Sequence, residues 1–128
     1  MTTTKTRTHI TQVGTVGVPV RDQDRALEFY VDKLGFEKRL DVPYGEGERW
    51  VEVAPSGAST TIALVRAGAG EPSGIDTQVR LTTRDAQADH ADLRARGVDT
   101  DGAIMRYPVP MFVLRDPDGN QLRVVERP

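Results

Sequence analysis

The sequence predicts an α+β fold in which two βαβββ modules form a curved, mostly antiparallel sheet around a cup. Three observations predict this fold. A strand, a helix and three strands follow one another twice along the 128 residues. Each helix follows an Arg-Asp pair, at 21–22 and 84–85, and each ends at a glycine, at 35 and 97, as carboxylate N-caps and left-handed C-terminal glycines predict. An Asp-Pro-Asp-Gly-Asn sequence at 116–120 indicates a hairpin turn between the last two strands.

The first module is predicted over residues 10–67, after a polar tail at 1–9. Valine alternates with small residues from 13 to 20, which indicates a half-buried strand. Apolar residues then recur at helical spacing, and Asp22 or Asp24 can cap that helix. The predicted elements are a strand at 13–20, a helix at 24–33, strands at 36–42, 49–54 and 60–66, and a loop at 43–48.

A glycine- and alanine-rich linker at 68–74 precedes the second module, which is predicted over 75–128. The order of elements restarts there, and Asp85 can cap the second helix. The predicted elements are a strand at 75–82, a helix at 86–96, a strand or irregular segment at 98–106, and strands at 111–115 and 121–126. Residues 1–128 are therefore interpreted as a single domain, consistent with the usual domain size.

Composition excludes several classes of function. The net charge is -2 with no block of like charge, so nothing predicts a nucleic-acid partner. The chain has no cysteine, which excludes disulfides and thiolate sites. No apolar run approaches the length of a membrane span and the first residues are polar, so we expect no membrane partner and a cytoplasmic location.

Alternation along the strands assigns each side chain to one of two faces. The face that packs on the helices is predicted to carry Val16, Val18, Val20, Ile62, Leu64, Val79, Leu81, Leu122 and Val124. The opposite face, which lines the cup, is predicted to carry Thr15, Gly17, Thr61, Ala63, Gln78, Arg80, Thr82, Met111, Val113 and Arg123. Such a mixture of small, apolar and polar residues suits a small-molecule pocket, and the alternative is a solvated sheet face.

Five residues are singled out as candidate ligand contacts. Arg80 and Arg123 could together bind a carboxylate, phosphate or phenolate, or each could pair with a local acid such as Glu52 or Glu126. Glu52 could also act as a general base. Trp50, the only tryptophan, could stack on a planar ligand near the cup mouth, with Met111 on a strand nearby. Dimer or core packing is the alternative for these apolar residues.

Two stretches resemble a known superfamily. The sequence VPVRDQDRALEFYVDKLGF at 18–36 is similar to the opening module of the vicinal oxygen chelate superfamily. The sequence FVLRDPDGNQLRVVE at 112–126 resembles its closing module. The superfamily includes glyoxalase I, extradiol dioxygenases, fosfomycin-inactivating transferases and bleomycin resistance proteins. The resemblance implies paired βαβββ modules, a homodimer that often completes the cup, and in the enzymes a divalent metal.

The resemblance also implies where the metal ligands would stand. In this chain the four positions hold Thr15, Ala63, Gln78 and Arg123. Threonine is a poor ligand, alanine has no donor, and arginine is a permanent cation, so only Gln78 could offer an oxygen. We therefore expect no metal and no other cofactor.

The expected function is binding of a small organic molecule, anionic or aromatic, in the cup without the usual metal. The site residues predicted for it are Thr15, Trp50, Glu52, Ala63, Gln78, Arg80, Met111 and Arg123. One alternative is a lyase, isomerase or dioxygenase of the superfamily type, with or without a metal. Another is an accessory protein whose cup is incidental. The sequence alone does not separate binding from catalysis.

Overall fold

The computed structural model describes residues 7–127. Most of the predicted tail, residues 1–6, and Pro128 lie outside the described residues. The elements are β1 (Thr15–Val20), α1 (Gln23–Leu27), a π-helical segment (Glu28–Lys33), β2 (Glu37–Tyr44), β3 (Glu48–Ala54), β4 (Thr61–Arg66), β5 (Asp76–Thr83), α2 (Ala86–Ala95), β6 (Asp99–Thr100), β7 (Met111–Arg115) and β8 (Gln121–Glu126).

The eight strands form two four-stranded sheets, one from each module. Their orders are β1-β4-β3-β2 and β5-β8-β7-β6. In each sheet the first strand is parallel to the last strand of its module, and the other pairs are antiparallel. The predicted fold class is thus confirmed, with two sheets where the sequence suggested one. β1 and β5 are both edge strands, and no described strand pairs across the module boundary, so the two sheets are separate.

The first helix has the predicted position but not a uniform winding. Asp22 caps it by accepting a hydrogen bond from the Arg25 amide at 3.1 Å. From Glu28 onward the helix is π-wound, and the Leu34 amide reaches back five residues to the Phe29 carbonyl at 3.1 Å. This wider winding accompanies the burial of two successive aromatic side chains, Phe29 and Tyr30, whose rings meet edge to face.

One predicted loop assignment changes, and one open assignment is settled. Half of the predicted loop 43–48 is strand, because β2 continues to Tyr44 and β3 begins at Glu48, which leaves a turn at 45–47. Pro43 is tolerated there since β2 is the edge of its sheet, where a missing amide hydrogen need not break the ladder. In the second module, 98–106 forms only the two-residue strand β6 and a single bridge between Met105 and Met111.

One hydrophobic core spans both modules. All nine residues assigned to the helix-packing face belong to it or pack against it. Val18, Val20, Ile62, Leu64, Leu122 and Val124 are buried in it, and Val16, Val79 and Leu81 pack against it while partly buried. Phe29 and Tyr30 from the first helix and Leu93 from α2 fill the space beside these strands. Burial of the core therefore fixes which sheet faces remain available for a site.

The turn at 116–120 also joins the modules. The fully buried Asn120 side chain accepts hydrogen bonds from the Gly74 and Ile75 amides at 2.8 and 3.0 Å. Its amide nitrogen donates to the Pro19 carbonyl of β1 at 2.7 Å. Gly74 suits this junction because a Cβ there would lie 2.8 Å from the Asp118 carbonyl oxygen. The sequence predicted a hairpin turn here, and the turn also connects β1 to the segment preceding β5.

Within residues 7–127, no helix has both the length and the apolar character that a membrane crossing requires.

Candidate ligand-binding site

The eight predicted site residues fall into two groups, one on each sheet. Thr15, Trp50, Glu52 and Ala63 belong to β1, β3 and β4. Gln78, Arg80, Met111 and Arg123 belong to β5, β7 and β8. Within residues 7–127 no hydrogen bond or ion pair joins the two groups. We call these two groups the two candidate half-sites of the chain.

Strand register places the first group side by side. Thr15 pairs with Thr61, and Ala63 lies between Gly17 on β1 and Glu52 on β3. Val51 and Val53, the neighbours of Glu52 along β3, are buried in the core. Because side chains alternate along a strand, Glu52 and Trp50 point away from that core.

Neutral donors hold the Glu52 carboxylate in place. Trp50 Nε1 donates to one carboxylate oxygen at 2.6 Å, and Thr61 Oγ1 donates to the other at 2.6 Å. Thr61 Oγ1 also lies 2.8 Å from Thr15 Oγ1. The Thr15 hydroxyl donates to the Thr61 carbonyl at 3.2 Å. The carboxylate is thus fixed by residues from all three strands of the half-site.

These hydrogen bonds also set the charge of Glu52. The hydrogen bonds from Thr61 and Trp50 lower the pKa of the carboxyl group, and they outweigh its partial burial, which acts in the opposite direction. Glu52 is therefore an anion at neutral pH. A general base works best when its pKa lies near the working pH, so this geometry favours a fixed anion over the proton-transfer role considered from the sequence.

Exposed apolar side chains surround this carboxylate. Leu40 on β2 pairs directly with Glu52, and Val42 pairs with Trp50. Leu40, Val42 and Tyr44 are 39, 41 and 50 % exposed. The Tyr44 and Trp50 rings meet edge to face, with centroids 6.1 Å apart. We call the set Leu40, Val42, Tyr44, Trp50 and Glu52 the first-module face, an apolar and aromatic surface with one anion. Trp50 and Glu52 were assigned to the site from sequence, but Leu40 and Val42 were not, because the two faces of the predicted strand 36–42 were not assigned. Tyr44 falls in the predicted loop 43–48.

In the second half-site Arg123 is paired with an acid. Its two terminal nitrogens lie 2.7 and 2.8 Å from the two carboxylate oxygens of Asp76. The hydrogen bond from Arg123 is the main reason that the pKa of Asp76 falls to about 2, and the Gln78 amide adds to it. The sequence offered pairing with a local acid as one of two interpretations, with Glu52 or Glu126 as examples. The acid is Asp76, which the sequence analysis did not consider.

A bulge in β5 explains why Asp76 was missed. Asp76 pairs with Gln121 and Arg80 with Arg123, so three residues lie between the two pairing positions on β5 and only one on β8. Gln78 lies in the bulge with a φ of 62°, in the left-handed region. Arg80 donates to the Gln78 carbonyl at 2.9 Å and makes no ion pair within the part of the chain that the structure describes. Simple alternation fails across such a bulge.

A cavity of about 210 Å³ lies apart from both half-sites. It is formed between α2, β5 and the segment after the first helix, and Leu34, Phe36, Leu81 and Leu93 are among its lining residues. None of the eight predicted site residues lines it. The half-sites lie instead on the sheet faces that point away from the core.

Comparison with known proteins identifies the family. The family model described as Glyoxalase/Bleomycin resistance protein/Dioxygenase superfamily matches residues 9–124. The chain belongs to this superfamily. The resemblance inferred from the two sequence stretches is thereby confirmed.

Several known proteins are similar to the chain over most of its length. An antibiotic-binding protein, TnmS3 from Streptomyces sp. CB03234, is 36% identical with a TM-score of 0.83, over 95% of this chain and 100% of that one. A superfamily member from Sphaerobacter thermophilus DSM 20745 is also 36% identical, with a TM-score of 0.85, over 92% and 98%. The uncharacterized protein YetH of Bacillus subtilis (strain 168) is 32% identical over 87% of this chain and 94% of its own length.

The side chains at the superfamily's metal-ligand positions do not fit a divalent ion in this chain. The Thr15 hydroxyl bonds to Thr61, Ala63 has no donor, and the Arg123 guanidinium is already paired with Asp76. Gln78 alone could supply an oxygen, and a catalytic site needs about three protein ligands. Within residues 7–127, no three or more histidine, cysteine or acidic side chains are grouped as a metal ion would require. We therefore derive no metal-dependent step.

Proposed function

We propose that this protein binds a small organic molecule with a planar aromatic part, without a metal, on the first-module face. The observation that carries the proposal is the combination, on one open sheet face, of exposed apolar side chains, a tryptophan and a fixed carboxylate. Small-molecule sites are typically apolar surfaces with a few fixed polar groups. The 36% identity to an antibiotic-binding protein supports sequestration of such a molecule. The cytoplasm is the location expected from the sequence, and it remains part of this proposal.

Binding rather than catalysis is the function that the first-module face supports best. Both Glu52 oxygens already accept a hydrogen bond from a neighbouring side chain, and these bonds lower the pKa of the carboxyl group. Such a group orients a ligand but removes a proton poorly. The lyase, isomerase and dioxygenase alternatives lack a comparable observation in their favour.

The binding test uses Trp50 as its reporter. Because Trp50 is the only tryptophan, a neutral planar probe such as 9-anthracenemethanol should quench its emission on binding. Val42→Asn should weaken binding about tenfold, since it removes an apolar contact beside Trp50. Ala91→Asn, which places the same side chain on the exposed surface of α2, should leave the affinity unchanged. Equal affinities of the wild type and Val42→Asn would contradict the location of the site.

A second copy of the chain is proposed to close the cup. Each chain presents its half-sites on separate sheets, and apolar side chains such as Ile10, Val13 and Met105 are exposed on it. Sedimentation velocity is expected to give twice the chain mass of 14.1 kDa. Sedimentation as a monomer at micromolar concentration would contradict the proposed dimer. Ligand binding by a single chain would then still stand as the proposed function.

A further inference from the structure

We propose that the ligand of the first-module face is an organic cation, a planar aromatic molecule whose protonated amine binds the Glu52 carboxylate. This inference rests on the proposed function and names its ligand class. It reverses the anionic preference that the two arginines suggested from sequence.

The charge of Glu52 has no counter-ion in the described chain. Its partners, Trp50 and Thr61, are neutral donors, and it makes no ion pair with any residue from 7 to 127. Two other carboxylates of the sheets are neutralised by arginines. Asp41 on the neighbouring strand β2 pairs with Arg49 at 2.9 Å, and Asp76 pairs with Arg123 at 2.7 Å. Glu52 thus offers a negative charge for an external cation to neutralise.

The carboxylate is also oriented before a ligand arrives. Trp50 and Thr61 each occupy one acceptor position, and a carboxylate oxygen has a second one. An ammonium group could therefore bind without displacing either partner, and little conformational entropy would be lost in ordering Glu52.

The surroundings strengthen the attraction to a cation. Leu40 and Val42 flank the carboxylate and its tryptophan partner across the β2–β3 ladder. A planar ligand lying on these side chains excludes water, which lowers the effective dielectric constant around the ion pair. The rings of Trp50 and Tyr44 lie beside it and attract cations through their π faces. An anion would find no positive group on this face.

A matched series of probes tests the inference. 9-(Aminomethyl)anthracene, 9-anthracenemethanol and 9-anthracenecarboxylate share one ring system and carry a positive, zero and negative charge at neutral pH. We expect the wild-type protein to bind the amine at least about tenfold more tightly than the alcohol, and the carboxylate most weakly. Calorimetric titration at low salt gives the three affinities.

Glu52→Gln is the decisive variant, because it removes the charge and can keep both contacts. The glutamine oxygen can accept from Trp50, and its amide can donate to the Thr61 hydroxyl, which also accepts. The variant should bind the amine and the alcohol equally, with the alcohol affinity unchanged. Glu28→Gln removes the same charge from the exposed side of the first helix and should keep the tenfold ratio. Unchanged circular dichroism and melting temperature confirm that Glu52→Gln is folded.

The outcomes separate this inference from the proposed function. If the alcohol binds the wild type as tightly as the amine does, the cation preference is refuted while small-molecule binding stands. The inference also fails if Glu52→Gln retains the tenfold preference for the amine. It fails too if the wild type shows no preference between the probes and Glu52→Gln abolishes dimerisation, because the carboxylate would then serve association between copies. Binding of none of the three probes would contradict the proposed function itself.

Discussion

Replacing Asn120 with alanine is expected to lower the free energy of unfolding by about 2–4 kcal/mol. The Asn120 side chain is fully buried and makes four hydrogen bonds. Two are accepted from the Gly74 and Ile75 amides, and two are donated to the Pro19 carbonyl and the Asp116 carboxylate. Alanine replaces none of them and leaves a buried acceptor on Asp116 with one donor fewer. The loss falls on the contact between the two modules, so both should unfold together.

Urea denaturation monitored by circular dichroism measures this loss. Gln87→Ala is the matched control, because it removes an amide from the exposed surface of α2. Surface substitutions of this kind change stability by less than about 0.5 kcal/mol. A destabilisation by Asn120→Ala no larger than that of the control would mean that solvent replaces the four hydrogen bonds, and the turn would then have no role in joining the modules.

The Asn120 contacts illustrate what the sequence could not predict. The Asp-Pro-Asp-Gly-Asn turn is local, and residue preferences alone indicate it correctly. The bond from Asn120 to Pro19, however, connects residues 101 positions apart. Nothing in the composition of either segment specifies that pairing. The cap at Asp85, and Asp22 as one of two candidate caps, could be predicted because a cap and its helix are neighbours in sequence.

Strand alternation predicted the core well because most strands are regular. Each of the nine assigned core residues lies in or against the observed core. The same rule failed at β5, where the bulge around Gln78 shifts the register and brings Asp76 to Arg123. A bulge leaves little mark on residue composition, so an acid that neutralises one of the two candidate anchors was overlooked.

The candidate site was predictable in part. Trp50 and Glu52 were assigned to the cup from sequence, and strand register places them side by side with Thr61. Their hydrogen bonds were not predicted, because an indole, a carboxylate and a hydroxyl on three chain segments have no sequence signature. Those bonds change the interpretation of Glu52 from a potential base to a fixed anion, and that change carries the proposed ligand chemistry.

Replacing Tyr30 with phenylalanine is expected to lower the free energy of unfolding by about 1.5–3 kcal/mol at neutral pH. The Tyr30 side chain is fully buried, and its hydroxyl donates to the buried Asp116 carboxylate at 2.9 Å. Hydrogen bonds to charged groups are stronger than neutral ones. Phenylalanine keeps the ring in the core and removes only this bond, which joins the first helix to the second module. Tyr107→Phe, at a side chain that is 85 % exposed, should leave stability unchanged.

The pH dependence of the Tyr30→Phe effect distinguishes loss of this hydrogen bond from a packing defect. Burial, followed by the charge of Asp116 and the hydrogen bond to it, raises the pKa of Tyr30 well above its usual value. Below about pH 10 both folded and unfolded chains hold the phenolic proton, and the stabilisation is complete. Above pH 10 the unfolded chain loses that proton while the folded chain keeps it, so this group lowers wild-type stability by about 1.4 kcal/mol per pH unit.

Tyr30→Phe lacks this dependence, so the stability difference between the two proteins should shrink as the pH rises above 10. A difference that stays constant in urea titrations between pH 8 and 11 would show that the phenol ionises equally in both states, and the loss at neutral pH would then reflect packing alone.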